Sequence, residues 1–315
     1  MQRNGIVVMG SFVADLAFRT PRLPAWGETV LGSEFRLGPG GKGSNQAVCI
    51  ARLGMQVSFL SKLGRDAFGD LARRTYKEEG VNTQVLYESA EHSTGGASIV
   101  VHEGKGENAI VVVPGASFQL TKEEVEKARP LIAGSSAFVT QLELPLAIVE
   151  HGLKLAHEEE TPAIFNPAPA LPIPGSIYPL CNYATPNESE AAALTGLPQD
   201  GIAAAERAAD ELLRRGVRNV VVTLGAQGAL VKNASVREHV PAVDAGAVVE
   251  TTGAGDAFNG GFAVALAEGA DLVEAARFAC VVAGISVTRP GTAPSMPKRE
   301  EVERLHTRPA ARSKT

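Results

Sequence analysis

Short, largely apolar runs recur along this chain, at residues 6–9, 57–60, 137–142, 163–166, 183–185 and 220–224. Each is closed by glycine or polar residues, the pattern of a strand buried on both faces. Between them, residues 47–53, 68–79, 145–159, 188–194, 201–215, 257–267 and 272–287 read as helices, and Gly80 and Gly216 stand where two of them stop. Alternation of short strands with amphipathic helices predicts an α/β fold, a doubly wound and mostly parallel sheet flanked by helices.

Two segments break the alternation. Residues from about 13 to 40 are strand-like, with Pro, Gly and Trp26 interspersed, and residues from about 92 to 115 read as a β-hairpin turning at Glu103-Gly104-Lys105-Gly106. Both are inserted between βα units, so together they are expected to form a small β-sheet lid over the open end of the main sheet. The expected organisation is one domain over residues 1–305 carrying these insertions, with a polar, basic tail over 306–315.

Composition narrows the partners. The 315 residues are 44% hydrophobic with a formal net charge of −5, and the basic residues do not cluster. This argues against nucleic acid or an anionic membrane surface as the main partner. Cys49, Cys181 and Cys280 are scattered and odd in number, which suits free thiols in a reducing compartment. The first residues match neither a signal peptide nor a membrane span, so a cytoplasmic location is expected.

The chemistry concentrates at strand ends. Thr252-Gly253-Ala254-Gly255-Asp256 runs into a small-residue helix, so Gly253 to Asp256 would sit at a helix N-terminus, where free N–H groups and the helix dipole make an anion site. A carboxylate beside an anion site fits a general base that takes a hydroxyl proton while the N–H groups of Gly253, Ala254 and Gly255 hold a transferring phosphoryl group. Taken alone, the same residues could simply cap a helix. Asp15 follows the first strand. Gly41, Lys42 and Asn45 lie in a glycine-rich segment that lacks the Lys-Ser/Thr pair of a P-loop and suits sugar hydroxyls. Gln141-Leu142-Glu143 ends another strand. Asn187 and Glu190 lie one helical turn apart and suit magnesium through its waters, although Thr185 to Glu190 also reads as a helix cap. Thr223-Leu224-Gly225-Ala226-Gln227-Gly228 offers a glycine-lined surface after a strand.

Gly40-Gly41-Lys42-Gly43-Ser44-Asn45, Asn187 to Glu190, Thr223 to Gly228 and Thr252 to Asp256 together resemble the ribokinase family of sugar kinases, also called the phosphofructokinase-B family. The resemblance spans Gly10 to about Pro297, and Gln141-Leu142-Glu143, Asn166-Pro167-Ala168-Pro169 and Val287 to Gly291 resemble its ribokinase branch. It implies ATP-dependent transfer to the 5-hydroxyl of a furanose such as D-ribose, with Asp256 as base. Asp15, Gly41, Lys42, Asn45 and Glu143 would bind sugar. Thr223, Gly225, Gly228 and Gly255 would carry ATP, with Cys280 near the adenine and Asn187 and Glu190 organising Mg2+. A K+ loop maps onto Glu250, Thr252, Ser286, Arg289, Gly291 and Ser295, and a homodimer through the lid is implied. Two positions depart from the family pattern. Val13 stands where ribokinases carry an Asn that helps hold a ribose hydroxyl, and Glu250 replaces an Asp. A 2-deoxyribose kinase, or a kinase of another furanose or a nucleoside, is the alternative. A non-catalytic sugar or nucleotide sensor is the alternative from another class, but a pure binder has no need of the base.

Overall fold

The computed structural model describes residues 3–104, 108–198 and 201–306. Lys105 and Gly106 of the expected hairpin turn, and the expected tail after His306, lie outside the described residues. The chain opens with β1 (Ile6–Met9), β2 (Val13–Thr20) and β3 (Glu34–Gly40), then α1 (Lys42–Arg52), β4 (Val57–Gly64) and α2 (Ala67–Glu79). Next come β5 (Leu86–Ser89), β6 (Thr94–His102), β7 (Asn108–Gly115), α3 (Lys122–Lys127), α4 (Arg129–Gly134), β8 (Ala137–Thr140) and α5 (Leu146–Glu158). β9 (Ala163–Phe165), β10 (Tyr183–Ala184), α6 (Glu188–Thr195), α7 (Gly201–Arg214) and β11 (Asn219–Thr223) follow. The last elements are β12 (Ala229–Lys232), β13 (Arg237–Val240), α8 (Ala254–Ala267), α9 (Leu272–Ser286) and α10 (Arg299–His306).

Among the described residues the main sheet has nine strands in the order β13-β12-β11-β10-β9-β8-β1-β4-β5. Pairing is parallel from β5 to β11, and β12 and β13 add an antiparallel edge. β1 shows why its sequence is a continuous apolar run. Ile6 and Val8 join the core beneath α1, α8 and α9, while Val7 and Met9 join the core beneath α5 and α7. Both faces of the strand are therefore buried. The chain leaves β1 toward β4 and β5 and later fills the sheet on the other side from β8 onward. The direction of winding reverses between β1 and β8, and a crevice at the carboxyl ends of two such strands is where sheets of this class bind ligands.

The lid is a separate sheet in the order β3-β2-β6-β7, built from the two expected insertions. No helix among the described residues is long and apolar enough to cross a membrane.

Two expectations change in detail. α1 begins at Lys42, five residues before the predicted start. Its first turn, Lys42-Gly43-Ser44-Asn45, lacks apolar periodicity: Lys42 and Asn45 reach the carboxylates of the crevice, Gly43 lies against the Gly10 backbone, and Ser44 Oγ accepts from Tyr76. The hairpin of β12 and β13 was not expected: each strand has four residues, and only β12 is buried along most of its length.

Candidate active site

The crevice between β1 and β8 collects the polar strand ends. Ser11, just after β1, donates its hydroxyl proton to Glu143 Oε2, just after β8. The same oxygen accepts the Lys42 backbone N–H at 2.8 Å, which pins the start of α1 over the crevice. Burial pushes the Glu143 carboxyl up, against the Lys42 charge and these two hydrogen bonds. Burial also pulls the Lys42 ammonium down, but the carboxylates of Asp256, Glu143 and Glu190 outweigh it and hold its pKa above the ordinary lysine value. Lys42 is thus a fixed positive charge among three carboxylates.

Asp256 enters from the opposite side, in the first turn of α8 and 5% exposed. The cap residue Gly253 has φ 85°, a left-handed conformation that a side chain would strain, and this turn aims the helix N-terminus into the crevice. The Asp256 carboxylate accepts from Asn45 Nδ2 at 2.9 Å and from Gln46 Nε2 at 3.1 Å, so α1 and α8 meet at this side chain. The N–H of Ala254, expected to face a phosphoryl group, here closes the turn by donating to Thr251 O at 3.2 Å.

Asp15, on β2 of the lid, reaches the same crevice, near Glu143 and Asp256. Its Oδ2 accepts from Thr292 Oγ1 at 3.0 Å. Burial, more than the nearby Glu143, Asp256 and Glu250 charges, raises its pKa to about 6, while the Thr292 hydrogen bond opposes the rise. Val13 lies two residues earlier on the same strand, so its side chain leaves the same face of the lid sheet. Val13 is buried, opposite Gly40 on β3 and Gly95 on β6. Gly41 is the N-cap of α1.

The expected nucleotide side is less tightly knit. Asn187 caps α6: its Oδ1 accepts the Glu190 N–H at 2.8 Å, and Glu190 Oε2 accepts the Asn187 N–H at 2.8 Å. The helix-cap reading of these residues is therefore realised. Burial nonetheless pushes the Glu190 carboxyl up, and its electrostatic partners are Lys42 and Asp256, which sets it at the edge of the same crevice. Thr223 N donates to Pro186 O at 2.9 Å and brings the Gly225–Gly228 turn beside Asn187. Cys280 lies in the core with α8 and α9, and burial pushes its thiol up to about 12.

In the expected cation loop, Glu250 Oε2 accepts the Gly291 N–H at 2.9 Å. The buried Ser286 and Ser295 hydroxyls each donate to a carbonyl three residues back, Ala283 O and Thr292 O, at 2.8 Å. The Arg289 guanidinium pairs with Glu301. Thr252 sits between Glu250 and the Gly253 cap.

Sequence reasoning missed Gln46, Asn259 and Thr292. Gln46 carried a signal, a long polar side chain directly ahead of the apolar Ala47-Val48-Cys49-Ile50 run. Asn259 joins Thr185 Oγ1 at 2.6 Å to Gly255 O at 2.8 Å and braces the first turn of α8. Thr292 carried no local signal, since its partner Asp15 is 277 residues away.

Comparison with known proteins identifies the family. Residues 3–299 match the pfkB family of carbohydrate kinases. The chain is 37% identical over 299 residues to the ribokinase of Haemophilus influenzae, covering 95% of this chain and 97% of that one. It is equally 37% identical over 297 residues to the deoxyribokinase of Salmonella typhi, covering 94% and 96%. The solved structure of Arabidopsis thaliana ribokinase complexed with ribose and ATP superposes with a TM-score of 0.91 at 30% identity, covering 98% of this chain and 100% of that one. A doubly wound sheet whose crevice gathers Asp15, Lys42, Glu143 and Asp256 under a four-stranded lid, together with these likenesses over nearly the whole length, shows that the chain belongs to the pfkB family of carbohydrate kinases and is a sugar phosphotransferase.

Proposed function

We propose that this kinase transfers the γ-phosphoryl group of ATP to the 5-hydroxyl of D-ribose. The observation that carries the reading is the placement of Asp256. Its carboxylate is buried at a helix N-terminus, opposite Asn45, Lys42 and Asp15. Asp256 takes the hydroxyl proton as the sugar oxygen forms its bond to the γ-phosphorus. The bond from that phosphorus to the β,γ-bridging oxygen breaks, and ADP leaves with the electron pair. The N-terminus of α8, with the N–H groups of Gly253 and Gly255, stabilises the charge on the transferring group. The Ala254 N–H joins them only if its 3.2 Å turn bond lengthens. Asp15 and Glu143 accept from sugar hydroxyls, Lys42 and Asn45 are the matching polar partners, and Gly41 brings backbone to the ring. Thr223, Gly225 and Gly228 carry the nucleotide, with Cys280 behind the adenine.

The donor set fits the metals the family implies. Asn187 and Glu190 would hold Mg2+ through water; the helix cap uses Glu190 Oε2, so Oε1 would be the acceptor. The ion would supply neutralisation of phosphate charge. K+ would suit the oxygen-rich loop of Glu250, Thr252, Ser286, Gly291 and Ser295. The Arg289 guanidinium is paired with Glu301 and is like-charged, so only the Arg289 main chain would be available to that ion. The lid supports a homodimer: Trp26 is fully exposed, and Val111 and Val113 are 69% and 61% exposed.

A second reading, 2-deoxyribose as substrate, is favoured by one observation. Val13, with no donor or acceptor, stands two residues from Asp15 on the sugar-facing lid strand. The test is ATP turnover measured against a panel of ribose, 2-deoxyribose, fructose and nucleosides. Turnover with ribose supports the proposal, turnover with 2-deoxyribose alone supports the second reading, and turnover confined to hexoses or nucleosides, or absent throughout, overturns both.

A further inference from the structure

Behind Asp256 lies a chain of buried amides that sugar contacts do not require. Gln46 is completely buried, and Gln141 is 1% exposed. Gln46 Nε2 lies 3.1 Å from Asp256 Oδ1 and 3.2 Å from Asn166 Oδ1, and Gln46 Oε1 accepts from Gln141 Nε2 at 2.7 Å. An amide has one donating and one accepting end, so neighbours decide which way it points. Asn166 commits its NH2 to Thr185 O at 3.2 Å, which leaves its oxygen for Gln46. Gln46 must therefore turn its NH2 toward Asn166 and Asp256. On the other side the Gln46 oxygen then accepts from Gln141, whose own Oε1 has no hydrogen-bond partner among the described residues. The arrangement also depends on Gly10, where a Cβ would lie 2.2 Å from Gln141 Oε1.

We propose that Gln46 is a positioning residue for phosphoryl transfer, turned by Asn166 and with its oxygen taken up by Gln141, so that its N–H fixes the Asp256 carboxylate in place. The inference rests on the reading of Asp256 as the base. The other groups facing Asp256 are Lys42 and Asn45 from α1, Asp15 from β2, Glu143 after β8 and Glu190 from α6. The Asn45 and Gln46 amides hold one carboxylate oxygen each, so losing the Gln46 bond frees one side of the carboxylate to turn.

The experiment is steady-state kinetics on the full chain for wild type, Gln46→Met, Gln46→Glu and Gln141→Met. A hydrogen bond to a charged group is worth enough to change a rate by about 10–100-fold. Gln46→Met is expected to lower kcat by about that factor while leaving the sugar KM nearly unchanged. Gln46→Glu puts an acceptor where the donor stood and is expected to lower kcat at least as far. Gln141 does not itself reach Asp256 and touches it only through Gln46, so Gln141→Met acts in the same direction with smaller size and decides the matter if the Gln46 variants do not fold. No loss of kcat, or a loss of kcat/KM that lies in the sugar KM, overturns the proposal. A double-mutant cycle separates it from its premise. If Asp256→Asn keeps its turnover, the base reading has failed. If Asp256→Asn loses turnover and Gln46→Met still costs the same factor in that background, Gln46 does not act through Asp256.

Discussion

Thr292 Oγ1 donates to Asp15 Oδ2 at 3.0 Å, joining the turn after α9 to the first strand of the lid across 277 residues of sequence. The bond ties the lid to the element that also braces the Gly253 cap. It also opposes the burial that raises Asp15 to about 6. The ionised carboxylate accepts hydrogen bonds at both oxygens, and the protonated one has lost part of that capacity. The sign follows: as pH falls through about 6, Asp15 takes up its proton, sugar capture weakens and kcat/KM falls. Thr292→Val removes the opposing hydrogen bond, so its acid limb lies at higher pH. A pH profile of kcat/KM for the two proteins checks this, and coincident limbs would show that Asp15 does not govern capture.

Asp256→Asn keeps the shape and the Asn45 and Gln46 neighbours but removes the base. Turnover is expected to fall by about 10²–10⁴-fold, the usual worth of a general base. ATP binding, followed by calorimetry, is expected to stay close to wild type. Retention of most of the turnover would remove Asp256 from its role.

The difference between what was legible in the sequence and what was not has a physical basis. Strands such as β1 and β11 are buried on both faces, and their apolar runs announce them. The start of α1 was hidden because Lys42 and Asn45 reach into the crevice while Gly43 and Ser44 fit close contacts with Gly10 and Tyr76, so the turn carries no apolar periodicity and Gly43, Ser44 and Asn45 have low helix propensity. Asp256 was readable because a glycine turn, a carboxylate and a helix start are adjacent in sequence. Gln46 escaped because its meaning lies in a partner 210 residues away, and local patterns do not encode such pairs. The helix cap at Asn187 and Glu190 was visible as one of two readings, and the structure realises it with both capping hydrogen bonds.

The lid presents apolar groups that a lone subunit leaves wet, among them Trp26, Leu31, Val111 and Val113. A homodimer at micromolar concentration is expected by sedimentation velocity. Val111→Lys together with Val113→Lys is expected to shift the population toward monomer, since charges are disfavoured at the centre of an interface. A wild-type monomer at these concentrations would contradict the lid-to-lid assembly.

Glu250 reaches Gly291 N directly at 2.9 Å, so the longer side chain already satisfies a donor within the cation loop. Activation by K+ is therefore expected, but with a shallow response. Glu250→Asp shortens the arm by one methylene, frees room for the ion and is expected to sharpen the dependence. Initial rates in potassium, sodium and cation-free buffers measure it. Equal rates in all three, for both proteins, would leave the loop as a purely structural brace.

Val13 bears on which pentose is preferred. It is 5% exposed and shares a strand face with Asp15, so a sugar held by Asp15 lies beside a side chain that cannot hydrogen-bond. An Asn there would reward a 2-hydroxyl and be left partly unpaired by its absence. Val removes both effects, so ribose and 2-deoxyribose are expected to converge in kcat/KM. Overall similarity does not decide between them, since a ribokinase and a deoxyribokinase are each 37% identical to this chain. Ribose remains the first expectation because Asp15, Lys42, Asn45 and Glu143 all match the ribokinase pattern. Val13→Asn is expected to shift preference toward ribose by about 5–30-fold, the worth of roughly one hydrogen bond to a hydroxyl. The check is kcat/KM for both sugars in both proteins. A strong ribose preference in the wild type, unchanged in the variant, would show that position 13 does not read the hydroxyl.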